Sequence, residues 1–230
     1  MEIIEIKKFL SENSEEEYRN FSLKLINNSK YPLLGVRLPT LKKLANMICG
    51  DLSAERFLNE CDFSCIEMCL LYSYVLGKTK GDITTLWQYF SRAAENAYNW
   101  CTCDILCQSF KQCLKNREFV LEKLIIFLES GKTYYMRIAV IMLMSYYLTD
   151  EYIDMVLLLA EKYENDGYYY KMGVAWLIAT ALAKETEKTL NFMETCKLDD
   201  FTYNKAIQKA VESRRISPEL KVQLKKMKRK

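Results

Sequence analysis

An all-α solenoid, a stack of helix pairs forming an α-α superhelix, is the fold class that the sequence predicts. Three observations carry it. Strand-like alternation is absent, while nearly every segment places apolar residues three and four apart. Only 7 Gly and 3 Pro occur in 230 residues, which leaves little turn chemistry for a β-rich fold. The starts of alternate helical segments fall near residues 64, 100, 133, 168 and 202, and intervals of 36, 33, 35 and 34 match a helix-pair repeat. About six pairs follow, in a single domain over 1–230 with atypical N-terminal helices at 1–30 and a basic C-terminal cap at 202–230.

Residues 1–14 and 15–28 read as amphipathic helices. A turn containing Gly35 and Pro39 leads into a helix over 40–48, because proline suits a first helical turn. Ser53 is the expected cap of a short helix ending at 61. An apolar helix follows over 64–80, with Glu67 as its main acid, and Asp82 caps another over 82–97. Further helices are expected over 100–116, 117–130, 133–148, 150–165, 168–184, 186–195 and 202–213, with a short one after Ser217-Pro218. Connections of two to five residues make sequential helices antiparallel.

The first helix of each later pair is the more apolar. Arg137 is the only charge from 133 to 149 and Lys171 the only one from 168 to 183, whereas 150–165 carries charge along a whole face. Inner helices covered on both sides and outer helices facing water produce this pattern. A charge in an inner helix is costly unless it is paired or exposed in a groove. Glu67, Asp104, Arg137 and Lys171 therefore either pair across repeats, Asp104 with Arg137 for instance, or line a concave binding face.

Composition excludes several functions. The longest apolar run, 138–144, is too short to span a bilayer, and the start MEIIEIKKFL lacks the basic-then-apolar order of a signal peptide. A cytoplasmic protein is expected. Nine cysteines, an odd number, fit a reducing compartment. The clusters at 61, 65, 69 and at 101, 103, 107 lack a tight CxxC pair, so they read as small buried hydrophobes rather than a zinc site. The absence of His removes Ser-His-Asp and Cys-His chemistry and the commonest general base. Net charge is +3, yet residues 202–230 hold ten Lys/Arg against Glu212 and Glu219, leaving the preceding 201 residues at −5. Such a distribution suits either a polyanion-binding face or a solvated tail.

The stretch YNWCTCD, residues 98–104, concentrates the chemistry. Asn99 is a natural helix cap, and the four-residue step from Trp100 to Asp104 puts an indole and a carboxylate on one face. Gln108 and Lys111 continue that stripe, while Cys103, Leu106, Phe110, Cys113 and Leu114 lie well round the cylinder and are expected to pack. An N-terminal Asp beside a core Trp is the structural reading of the same residues.

The segments YPLLGVRLPTLKKLA, NWCTCD, MRIAVIML, YYYKMGVAWLIA and NKAIQKAVESRRISPELK, in this order, resemble the DNA alkylation repair enzymes built from HEAT-like repeats, the AlkD-like DNA glycosylases. The resemblance runs from about residue 31 to the C-terminus, with acids at Glu15, Glu16 and Glu17 setting the N-terminal helices apart. It implies a curved HEAT-like solenoid cradling duplex DNA. It also implies hydrolysis of the N-glycosidic bond of N3- or N7-alkylated purines by a monomeric enzyme without metal, cofactor or membrane. By motif, Asp104 resembles the family's catalytic carboxylate, Trp100 and Trp176 its two tryptophans, and Arg137 its DNA-contacting arginine. Lys111, Lys171, Lys205, Lys209, Arg214 and Arg215 complete the expected DNA-binding set. Cys101 stands where the best-known members carry a second Asp. Two other functions remain open at this point, a non-catalytic nucleic-acid-binding solenoid and a protein-interaction scaffold.

Overall fold

The computed structural model describes residues 1–26 and 30–229, so the end of the helix expected at 15–28 and the last residue of the C-terminal cap lie outside the described residues. Among the described residues there are fourteen α-helices, one short 3-10 helix and no strand. The chain divides into two compact units, Met1–Arg117 and Glu118–Lys230.

In the first unit the helices are α1 (Ile3–Glu12), α2 (Glu16–Leu25), α3 (Leu38–Gly50), α4 (Ala54–Glu60), α5 (Ile66–Leu76), α6 (Ile83–Glu95) and α7 (Trp100–Ser109), with the 3-10 helix at Lys111–Lys115. Helix α5 lies between α3 and α7 and packs on α4 and α6 as well. All of its residues but Tyr74 are buried, as the lack of a polar face in its sequence requires.

The second unit comprises α8 (Arg117–Glu129), α9 (Thr133–Tyr146), α10 (Ile153–Lys162), α11 (Tyr168–Lys184), α12 (Thr186–Thr195), α13 (Asp200–Glu212) and α14 (Pro218–Lys226). Helix α11 is flanked by α9 and α13, with α10 and α12 packed on its outer side. Residues 136–144 of α9 are buried without interruption. Gly173 lets α11 approach closely, since a Cβ there would sit 2.9 Å from Val140 Cγ2. Each unit is thus a stack of inner helices backed by outer ones, in the order the repeat spacing predicts.

Three local expectations need correction. The helix expected over 100–116 ends at Ser109, and residues 111–115 form the 3-10 helix instead. A Cβ on Gly77 would lie 2.6 Å from the Ser109 carbonyl oxygen, so the end of α7 is seated directly on the end of α5. Gln112 then ties the 3-10 segment down, donating to the carbonyls of Leu76 and Thr79 at 3.0 and 3.1 Å. The tighter turn keeps Phe110 and Cys113 inside but leaves Leu114, expected to pack, 48% exposed. Ser53 precedes α4 but makes no side-chain cap, its hydroxyl donating back to the Ile48 carbonyl at 3.1 Å. Glu67 neither pairs across repeats with a charge nor reaches solvent; its geometry is given below.

Burial pushes the thiols of Cys61, Cys101 and Cys113 up to about 12 and that of Cys65 up to about 11, from an ordinary 9.0. The folded chain therefore keeps thiol protons that the unfolded chain sheds above pH 9.0. Stability from this source is complete below pH 9.0 and is lost as pH rises towards 12. The urea midpoint, measured with reductant present, should fall between about pH 8 and about pH 10.5. A midpoint that does not move would contradict the burial of these thiols.

Candidate carboxylate site and basic groove

In the first unit the site is built on the start of α7. The Asn99 side chain accepts from the Thr102 N–H at 3.0 Å, so the cap read from the sequence forms and the helix opens at Trp100. Trp100 is half-buried, and its indole N–H donates to the Leu25 carbonyl at the end of α2, 3.1 Å away. One turn on, Asp104 is 6% exposed on a helix with no other charged residue. The Cys101 thiol between them is raised first by burial, then by the Asp104 and Glu67 carboxylates. It is therefore neutral at physiological pH and adds no charge to the site.

Glu67 supplies a second buried carboxylate, only 1% exposed. It accepts from the backbone N–H of Leu34 at 3.1 and 3.0 Å, of Gly35 at 2.7 Å and of Val36 at 3.2 Å. Three successive N–H groups converging on an anion form a nest, and Glu67 is thereby fixed as the anchor of the turn that leads into α3. Gly35 has φ +96°, and a Cβ there would lie 2.5 Å from the Glu15 carbonyl oxygen. Only glycine suits both conditions.

Several side chains near this site were not singled out from the sequence, although Tyr31, Arg37 and Lys42 lie in the segment YPLLGVRLPTLKKLA and Tyr98 in YNWCTCD. The Lys30 ammonium sits 4.3 Å from the Tyr98 ring centroid, and Tyr31 meets Tyr98 edge-on at 5.9 Å. Lys42 lies 5.5 Å from the ring of Tyr74, the one residue of α5 that is not buried. Arg37 stacks at 4.8 Å over Tyr18 and holds Glu15 through both carboxylate oxygens. Lys42 lies in a segment that carried the resemblance, and the helical period of α5 is the signal for Tyr74. Lys111 is exposed on the 3-10 helix and no longer continues the Trp100–Asp104 stripe.

In the second unit, Trp176 lines an open groove of about 600 Å³ with Met144, Thr180, Lys209, Glu212 and Arg215. The groove thus has an aromatic wall and two cations from the basic segment read in the sequence. Arg214 is exposed beside it, and Lys205 donates to Gln208 at 2.9 Å. Arg137 is only 5% exposed and donates through Nη1 to the Tyr169 carbonyl at 2.6 Å, tying α9 to α11. Lys171 meets Asp166 at 3.1 Å and Asp199 at 3.6 Å. Asp199 caps α13, accepting from the Thr202 N–H at 3.2 Å. Pairing across repeats is therefore realised for Lys171, with a partner that the inner-row charges did not suggest. Among the described residues no group of three or more His, Cys, Asp or Glu is placed to hold a metal ion, and no helix is long and apolar enough to cross a membrane.

Stacked helix pairs define a helical-repeat protein, whose first unit holds a buried acid one turn from a half-buried tryptophan and whose second holds a tryptophan beside lysine and arginine. The sequence matches the family of DNA alkylation repair enzymes over residues 6–210, and the chain belongs to it. Its role is accordingly in DNA repair. The match reaches back through α1 and α2, further than the segments that carried the resemblance, and stops short of Arg214 and Arg215. No curated protein matches the chain.

Proposed function

We propose that this protein is a DNA glycosylase that hydrolyses the N-glycosidic bond of cationic N3- or N7-alkylated purines in duplex DNA. The observation that carries the reading is Asp104, a 6%-exposed carboxylate one helical turn from Trp100, in a member of the DNA alkylation repair family.

The chemistry asks little of the protein. Alkylation leaves the purine cationic, so the base departs without being protonated. As the bond from the sugar to the purine nitrogen breaks, the sugar takes on oxocarbenium character. A carboxylate held at low exposure stabilises that charge strongly, because it needs no reorganisation and is weakly screened. Asp104 fills this role and orients the water whose oxygen adds to the sugar carbon. Trp100, one turn from Asp104, offers a ring face to the cationic sugar, at roughly 0.5–2 kcal/mol for a cation–π contact. Trp176 is proposed to offer its ring to DNA at the second unit's groove. The neutral Cys101 leaves Asp104 as the acid of this face of α7. Incubating the protein with methylated duplex DNA and measuring released free base tests the proposal, and absence of release at stoichiometric enzyme would sink it.

Lys205, Lys209, Arg214 and Arg215 are proposed to hold phosphates. Replacing Arg214 and Arg215 together with Ala should weaken binding alike across sequences. The slope of log K against log salt should flatten by about 0.9 for each phosphate that is no longer neutralised. An unchanged slope would assign the two arginines to a solvated tail. Arg137 and Lys171 enter this set differently, since each already has protein partners; their proposed part is to hold α11 in place beneath the DNA.

A further inference from the structure

We infer that the first turns of α9, α11 and α13 form a stacking platform for single-stranded DNA, built from Tyr134, Tyr169, Tyr168 and Phe201 and bounded by Lys205. These residues recur at the same turn of three successive inner helices. Tyr134 stacks on Tyr169 with centroids 6.1 Å apart and planes at 27°. Tyr169 meets Tyr168 edge-on at 5.4 Å, and Tyr168 leans on Phe201 at 6.1 Å. The Lys205 ammonium lies 5.8 Å from the Phe201 ring. A row of four rings ending in a cation results.

Ordinary core packing does not account for it. Tyr170, in the same tyrosine run, is 3% exposed and donates its hydroxyl to the Tyr163 carbonyl at 2.6 Å. Tyr168 and Phe201, by contrast, are 57% and 42% exposed. Large rings kept at the surface in a continuous row are a recognition surface. Arg137 holds the row in register by fastening the Tyr169 carbonyl at 2.6 Å.

The chemistry of the row selects the occupant. Asp166 and Asp199 share the single ammonium of Lys171, and Asp200 meets Arg229 at 3.3 Å. Among the described residues Lys205 has no carboxylate partner. A phosphate would find Lys205 at the end of the row, beside the Phe201 ring. Every base presents a π-face, but in a duplex those faces are covered by neighbouring pairs, so exposed rings can stack only on unpaired bases. The platform therefore selects DNA that carries an unpaired segment. The inference rests on family membership in DNA repair and on these rings, and it stands whether or not the protein releases bases.

Fluorescence anisotropy with an unmodified oligo-dT strand and with a blunt duplex of equal length, at matched salt, tests it. Tyr168→Ala and Phe201→Ala should each weaken single-strand binding roughly ten-fold, and the double variant more, through the loss of base–aromatic stacking. Blunt-duplex binding should stay within about two-fold, since duplex affinity rests on phosphate contacts. Tyr168→Phe, which keeps the ring, should bind like the parent. Equal weakening for strand and duplex, no weakening of either, or Tyr168→Phe behaving like Tyr168→Ala would each overturn the inference. So would a Lys/Arg-rich peptide competing for the platform where oligo-dT does not. The single variants keep the test decisive should the double variant lose its fold.

Discussion

Asp104→Asn should lower single-turnover release of N-alkylated purines by roughly 10²–10³, a barrier increase of about 2.7–4 kcal/mol. The substitution keeps the shape of the side chain and removes the charge proposed to face the sugar. Binding to undamaged duplex should change little, or strengthen slightly, because an anion near phosphates has gone. A purely structural Asp104 predicts a different pattern. Its burial, at 6% exposure, would then make Asn costly to the fold, and any loss of rate would follow the unfolded fraction. Melting temperature and single-turnover rate on one preparation separate these outcomes. A folded variant working at the parental rate would end the catalytic assignment. The neutral Cys101 gives the comparison a clean background, since its thiol stays protonated to about 12 and cannot replace the missing charge.

What the sequence reveals depends on how far apart the interacting groups are along the chain. Inner and outer helices separate because burial on all sides leaves room for few charges, and α9 shows this in nine consecutive buried residues of which Arg137 alone is charged. The cap at Asn99 is legible because its partner, Thr102, is three residues away. The end of α7 is not legible, since the apolar pattern continues through Phe110 and Cys113 while the close seat for Ser109 is Gly77, just past the end of α5. Lys171 shows an intermediate case. A lone cation in an apolar helix implies a partner, but the acids that meet it, Asp166 and Asp199, lie outside α11. The candidate site divides in the same way. Trp100 and Asp104 follow from a four-residue step within one motif, and Trp176 from a family resemblance. The cations around the first site, Lys30 and Lys42, meet tyrosines more than thirty residues distant. The aromatic row had a usable signal, since residues 134, 168 and 201 repeat at the helix-pair period.

Glu67 offers the largest expected effect on stability. Its carboxylate neutralises three backbone N–H groups, and Gly35 and Val36 among them are buried. Glu67→Ala would leave these donors without an acceptor, at about 1–3 kcal/mol for each buried one, or roughly 2–6 kcal/mol for Gly35 and Val36 together. That is a large share of the roughly 5–15 kcal/mol that holds a typical domain. Glu67→Gln is milder. Oε1 accepts three of the four bonds and Oε2 only the second bond from Leu34, at 3.0 Å. An amide oxygen placed where Oε1 stands keeps most of the nest, so the loss should be about 1–3 kcal/mol, from one bond and the charge assistance of the others. Gly35→Ala should rank with Glu67→Ala, because its Cβ would meet the Glu15 carbonyl oxygen at 2.5 Å in a backbone region hostile to side chains. Urea unfolding of the three variants gives the order directly. The alternative, in which Glu67 faces a ligand, predicts unchanged midpoints and altered DNA affinity for both Glu67 variants. Finding Gln as damaging as Ala would mean that the negative charge, rather than the acceptor geometry, holds the turn.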